Sequence, residues 1–216
     1  MPVIAEAVKG RRAEHAEDTR EGLLAAAREL FDNRGYAGTS IDDIARSARV
    51  TRGALYHHFA SKQDLFRAVV ERLYEDVVQR LARTSESWQR PAGAPDRDLW
   101  DVICAAYQAR LDLTYSDPDF QQIVDQDASS VLGHKTLTEI AQGSANTGLR
   151  PALEEAMAAG LIKPVPVQAL ASLIGALISA AGRAVAIADD KASARAGLGD
   201  ALDALLQGLR VSTGRA

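Results

Sequence analysis

The chain is poor in the residues that stiffen or cross-link small domains. Among 216 residues there is one cysteine, seven prolines, and an aromatic fraction of 5%. A single thiol, Cys104, cannot close an intrachain disulfide, which excludes a disulfide-stapled scaffold and fits a reducing compartment. Its position inside an apolar helical pattern reads as a small core residue, with a sensor thiol as the alternative. The scarcity of aromatics and the lack of alternating apolar and polar residues argue against sheets. Met1–Val8 is too short and mixed for a basic-then-apolar leader, so the cytoplasm is the expected location. The longest uncharged stretch, Val165–Gly182, has prolines at its start and stops at Arg183, and reads as a buried helix rather than a membrane span. No nucleophile with a neighbouring base, no phosphate-cradling glycine loop and no paired Glu-x-x-His ligands occur, so neither an enzyme, a cofactor nor a metal is expected. The adjacent His57 and His58 diverge by about 100° on a helix and make no metal pair.

What is present is Ala and Leu at helical spacing. With 47% hydrophobic and 25% charged residues, the chain can bury a full core. The expectation is an all-α protein. Its net charge of −4 excludes indiscriminate coating of nucleic acid. Yet between Ile44 and Gln63 there is no Asp or Glu, while Arg46, Arg49, Arg52 and Lys62 are basic. That window is locally positive in an acidic chain, which suits a phosphate backbone.

The window lies in the most organised stretch, Ser40–Lys62. Ser40 can cap a short helix with Asp43 reaching back, and Ile41, Ile44, Ala45 and Ala48 share one face. Val50 sits in a turn. Thr51 can cap a second helix whose Leu55 and Phe59 face the same core, leaving Arg52, Gly53, Ala54, Tyr56 and His57 outward. Two helices so joined, with the second exposed at its start, form a helix-turn-helix, the arrangement that reads the major groove. Arg52 can reach guanine O6 and N7 or, alternatively, a phosphate. Gly53 and Ala54 allow close approach, and Tyr56, His57, His58 and Lys62 read as backbone clamps.

The run Thr19–Phe66, TREGLLAAARELFDNRGYAGTSIDDIARSARVTRGALYHHFASKQDLF, resembles the amino-terminal domain of TetR-type transcriptional regulators, without gaps. The resemblance covers that domain only. Arg49 stands at the turn where many members carry Gly, and adds a positive charge. The resemblance implies phosphate contacts from Tyr56, His58 and Lys62, with Thr39 and Ser40 at a further phosphate; Arg49 and Thr51 complete the expected DNA-facing set. It also implies a helical carboxy-terminal domain that binds a small effector, dimerises through its last two helices, and acts on paired operator half-sites, most simply as a repressor.

The remaining chain reads as follows. Residues 1–18 are either a frayed tail or an arm for the minor groove. The first helix runs from Thr19 to Arg34 with Gly35 as its stop. Ser61 and Asp64 box the start of a long helix reaching about Arg83, apolar on two stripes, Leu65–Val69–Leu73–Val77–Leu81 and Phe66–Val70–Tyr74–Val78; it is a candidate lever between a DNA-binding domain, 19–64, and an effector and dimerisation domain, 65–216. Ser85–Asp98, with Pro91, Gly93 and Pro95, marks the boundary. Helices then follow over 96–115, from Asp117-Pro118 to Gly133, from a Thr136/Glu139 box to Ala159, over 167–188 and over 192–209. Trp100, Tyr107, Leu111, Phe120, Val124, Leu137 and Ile174 are candidates for a pocket wall or for plain core. Asp112, Asp125 and Asp127 lie near those stripes, either as selectors of a cationic or hydroxylated ligand or as solvent-facing acids. His134 is placed in a loop. Leu170, Leu173, Ile174, Leu177, Leu198, Leu202 and Leu205 are candidates for a two-fold interface between copies, the alternative being the monomer's own core. An all-helical ligand-binding or assembly protein that does not read DNA sequence is the competing class.

Overall fold

A computed structural model describes residues 2–87, 98–117 and 119–211. Every regular element among them is helical: α1 (Pro2–Arg34), α2 (Ile41–Ser47), α3 (Arg52–His58), α4 (Lys62–Ser87), α5 (Leu99–Ser116), a π-helical turn at Phe120–Ala128 that runs into α6 (Ser129–Ala158), α7 (Val167–Ala186) and α8 (Lys191–Gln207). The all-α expectation is met. The expected boundary loop falls largely on residues 88–97, outside the described residues, as does Pro118.

Two compact units emerge. The first is residues 1–72 with 122–133; the second is 73–121 with 134–216. This differs from a cut near residue 64, because the division falls inside α4 and because a distant segment joins the first unit. Asp127 Oδ2 accepts from the Tyr36 amide at 2.7 Å, and Gln63 Nε2 donates to the Val131 carbonyl at 2.6 Å. A reading made along the chain has no signal for such a return.

In the first unit Leu23, Ala27 and Phe31 of α1, Ile44 and Ala45 of α2, Leu55 of α3 and Leu65, Phe66, Val69 and Val70 of α4 close one core. Phe31, Tyr36 and Phe66 meet edge-on or stacked at ring separations of 4.9–5.8 Å. Helix α1 stops at Gly35, whose φ of 68° is left-handed and whose amide donates to the Phe31 carbonyl. It begins at Pro2, seventeen residues before the expected Thr19. Residues 2–18 have no apolar stripe to announce a helix, but Pro at the first position and abundant Ala, Glu and Arg favour one by propensity alone.

In the second unit α7 packs on α5 and α8, and α5 on α8. Trp100, Ile103, Tyr107, Ile174, Ile178, Leu202 and Leu206 lie in its core. By length and composition α7 is apolar enough to cross a membrane, contrary to the expectation from the prolines beside it. Its Ala171, Ile174, Ile178 and Val185 are nevertheless buried against its neighbours, as a core helix requires. The segment after α8 is tied down as well: Lys163 N–H donates to the Leu209 carbonyl and Val211 N–H to the Leu161 carbonyl, forming one antiparallel bridge, while Arg210 pairs with Asp98 and Asp101 at the start of α5.

The break near 133 is backbone-driven. Gly133 adopts φ 78°, ψ 157° within the π-to-α run, so the following helix resumes at His134 and Thr136 caps nothing. His134 is therefore helical rather than in a loop. Beyond it α6 is uninterrupted through Gly143 and Gly148 to Ala158, and Gly160, at φ 69°, ends it.

Candidate nucleic-acid interface and ligand cavity

The reading helix is placed by two caps and a short core. Ser40 and Asp43 make the expected reciprocal box: the Asp43 amide donates to Ser40 Oγ at 3.1 Å, and the Ser40 amide to Asp43 Oδ2 at 3.3 Å. The Ser40 hydroxyl also donates to Asp43 Oδ2, and these bonds hold the Asp43 carboxyl below its usual range. Thr51 Oγ1 accepts from the Ala54 amide at 3.1 Å and caps α3. Between the helices Arg49 takes φ 57°, the left-handed conformation for which glycine is the natural occupant. Its side chain is exposed.

With Leu55 and Phe59 buried, Thr51, Arg52, Gly53, Tyr56 and His57 face solvent, and Ala54 and His58 are half-buried beside them. Arg52 leans on Asp42 at 3.2 Å and over the Tyr56 ring, with its guanidinium 5.5 Å from the ring centroid. The acid-free window is thus partly neutralised from α2: Asp42 meets Arg52, and Asp43 meets Arg46 at 3.1 Å.

Two expected DNA-facing residues point elsewhere. Thr39 is only 2% exposed, and its hydroxyl lies 3.0 Å from the Leu30 carbonyl and 2.9 Å from that of Gly35, covering carbonyls at the end of α1. Lys62 turns inward. Its ammonium donates to the Tyr36 carbonyl, sits 4.0 Å over the Tyr36 ring, and is drawn by Asp127, while burial pushes its pKa down. Position in a motif told where Lys62 stands in the chain; it did not tell which way a four-carbon stem would swing.

The second unit holds a cavity of about 310 Å³. One face of α5 forms a wall, Leu99, Val102, Ile103, Ala106, Tyr107 and Arg110, at the 3–4 residue spacing of a single stripe. Opposite stand Ala141, Ser144, Gly148, Leu149 and Ala152 of α6, Gly175 and Ile178 of α7, and Val78 of α4. Of the seven expected wall residues only Tyr107 lines it. Trp100, Leu111 and Ile174 are core, Phe120 meets the Tyr74 ring edge-on with centroids 5.4 Å apart, Leu137 lies off the lining, and Val124 belongs to the first unit. The acids are elsewhere too: Asp112 pairs with Arg195 of α8, and Asp127 serves Tyr36; the Asp125 side chain lies outside the described residues. The usable signal was the α5 stripe ending on Arg110, a cation closing an apolar face.

Two polar groups stand out in the cavity. The Tyr107 hydroxyl is buried without a hydrogen-bond partner among the described residues, and burial pushes its pKa well up. Arg110 lies with its guanidinium 5.7 Å from the Tyr74 ring centroid, and burial pushes its pKa down. Cys104, one turn before, is a buried free thiol with its pKa pushed up to about 12 by burial.

Of the expected interface residues, Leu173 is 62% exposed, Leu177 43% and Leu205 60%, which leaves leucines of both α7 and α8 open to solvent. Leu170 and Leu198 are half-buried. Ile174 and Leu202, at 2% and 4%, belong to the chain's own core instead, because they sit on the inner side of the same helices.

Residues 23–69 match the bacterial regulatory proteins of the tetR family, and residues 100–209 match the tetracyclin repressor-like C-terminal domain. The transcriptional regulator TtgR of Pseudomonas putida is 46% identical over 77 residues, 36% of each chain. The repressor NemR of Escherichia coli is 38% identical over 101 residues, 47% of this chain and 46% of NemR. The chain thus spans only about a third to a half of these curated relatives. Across the whole length, a crystal structure of a TetR-family regulator from Pectobacterium atrosepticum superposes with a TM-score of 0.73 at 35% identity, covering 92% of this chain and 97% of that one. A structure of RolR with resorcinol, at 21% identity and a TM-score of 0.66 over 93% of this chain and 91% of that one, shares the fold. With both halves matched, the chain belongs to the TetR family of helix-turn-helix transcriptional regulators.

Proposed function

We propose that the protein is a cytoplasmic, homodimeric repressor that reads a palindromic operator with α3 and leaves it when a small effector fills the cavity of the second unit. The observation that carries the reading is the exposed face of α3. Arg52, Gly53, Tyr56 and His57 project from a helix held by a capped turn, and nothing in the core calls for those side chains. Arg52 is the base-reading group, Tyr56, His57 and His58 flank it on the phosphates, and Arg49 adds charge at the turn. Thr39 and Lys62 build the connection beneath instead of touching DNA. Dimerisation uses Leu173, Leu177 and Leu205 with Leu170 and Leu198 around them, because so much exposed leucine is costly to leave in water. Helix α4 offers a route from effector to DNA, since Leu65–Val70 belong to the first core and Val78 to the cavity wall.

The test is selection of sites from a random duplex pool by the purified protein at fixed salt. Enrichment of an inverted repeat, bound by a dimer in light scattering, is the expected result. Retention without enrichment, vanishing as salt rises, would reject sequence reading and favour an all-helical ligand-binding or assembly protein.

A further inference from the structure

The cavity's wall chemistry narrows what can occupy it. The inference rests on the cavity being the effector site, and adds the ligand's class. Among the described residues its lining is apolar apart from three groups: Ser144, whose hydroxyl donates to the Tyr74 carbonyl at 3.5 Å, Tyr107 and Arg110. No Asp or Glu is among the described lining residues. Tyr107 is 5% exposed, and its hydroxyl reaches no acceptor among the described residues. A buried hydroxyl without a partner costs free energy until something in the space beside it accepts the hydrogen bond. Because burial raises the hydroxyl's pKa, it stays a neutral donor and asks for an acceptor.

Arg110 lies three residues on, on the same face of α5; both residues line the cavity, and the Arg110 charge is felt at the Tyr107 hydroxyl. A guanidinium carries donors and no acceptor and remains charged when desolvated. A cationic ligand would be repelled, and a ligand offering only donors would leave Tyr107 unsatisfied. An anionic group with two oxygens can accept from the Tyr107 hydroxyl and at the same time face the Arg110 charge. The remaining wall is aliphatic, and Gly175 and small alanines leave room for a ring or a branched chain.

We infer that the cavity takes a compact hydrocarbon monocarboxylate, its carboxylate shared between the Arg110 guanidinium and the Tyr107 hydroxyl.

Calorimetry on the full chain tests this with benzoate as the acidic probe, benzamide as its neutral analogue and benzylamine as its cationic one. Benzoate binds once per chain, benzamide about tenfold or more weaker, and benzylamine weaker still. Arg110→Met reduces benzoate affinity about tenfold or more and barely alters benzamide, while Tyr107→Phe, which removes one oxygen from an otherwise intact wall, reduces benzoate affinity about fivefold. Gly175 has open space where a Cβ would stand, so Gly175→Leu fills the cavity and abolishes binding of both probes. Equal affinity for benzoate and benzamide, with Tyr107→Phe and Arg110→Met indifferent to the difference, overturns the acid class and leaves the cavity a ligand site. No saturable binding by any probe, or binding that survives Gly175→Leu, overturns the cavity reading itself.

Discussion

Replacing Lys62 by Met separates a phosphate clamp from a structural strut. The Lys62 ammonium donates to the Tyr36 carbonyl and lies 4.0 Å over the same residue's ring, in the connection between α1 and α2. A hydrogen bond to a charged group contributes about 1.5–3 kcal/mol, and a cation over an aromatic ring about 0.5–1 kcal/mol. Against these stands the burial that lowers the lysine's pKa, a cost the methionine does not carry. The net loss should be about 2 kcal/mol, or roughly 4–8 °C in Tm for a chain of this size. Affinity for the selected operator should keep its salt dependence, since no phosphate contact is lost. Thermal unfolding and binding titrations over a salt series read the two quantities separately. A Tm unchanged by the substitution, with a salt slope reduced by about 0.9 for each lost phosphate contact, would refute the inward assignment and restore Lys62 to the backbone.

Arg52→Ala should flatten base preference at one position of each half-site by about 5- to 100-fold, read by competition with single-base variants of the selected site; equal weakening on all sequences would make Arg52 a phosphate contact. Leu173→Glu combined with Leu205→Glu should yield monomers in light scattering with the helical signal retained, because both side chains are exposed in the single chain. Arg49→Gly should stabilise the chain by about 0.5–1 kcal/mol in urea unfolding, since glycine holds φ 57° without the Cβ conflict. Cys104 should resist alkylation across pH 7–9. Its folded pKa of about 12 lies above the usual thiol value, so the protonated thiol persists while the pH rises, and its contribution to stability is lost only between the unfolded value and about 12. Rapid labelling of the native protein at pH 8 would contradict that.

Much of the first unit was legible in the chain because local rules decide it. Ser40 with Asp43, Thr51 before α3, Gly35 after α1 and the Leu55–Phe59 pair each act within four residues, and each does in the fold what its spacing announces. The reading face followed, since burying Leu55 sends Arg52 and Tyr56 outward by helical geometry alone. Helix α1 shows the limit of periodicity: without an apolar stripe, its first seventeen residues left only propensity as a signal.

Other features depend on what arrives from far along the chain. Lys62 and Thr39 sit at the right motif positions, yet the Tyr36 carbonyl and the end of α1 claim them. Asp127 reads as a candidate ligand selector and serves as a partner for Tyr36, because segment 122–133 returns to the first unit. In the second unit, helical spacing marks which leucines share a face; it cannot say whether that face meets another helix, a cavity or solvent. Thus Ile174 and Leu202 turn inward while Leu173 and Leu205 on the same helices stay exposed. The sequence by itself determined the helices, their caps and the outward chemistry of α3, because those are set by hydrogen bonds and sterics a few residues long. Only the tertiary structure decided the cavity, with Arg110 and Tyr107 on its wall, and the open leucines of α7 and α8, because each is a gap or a surface left by packing among several helices.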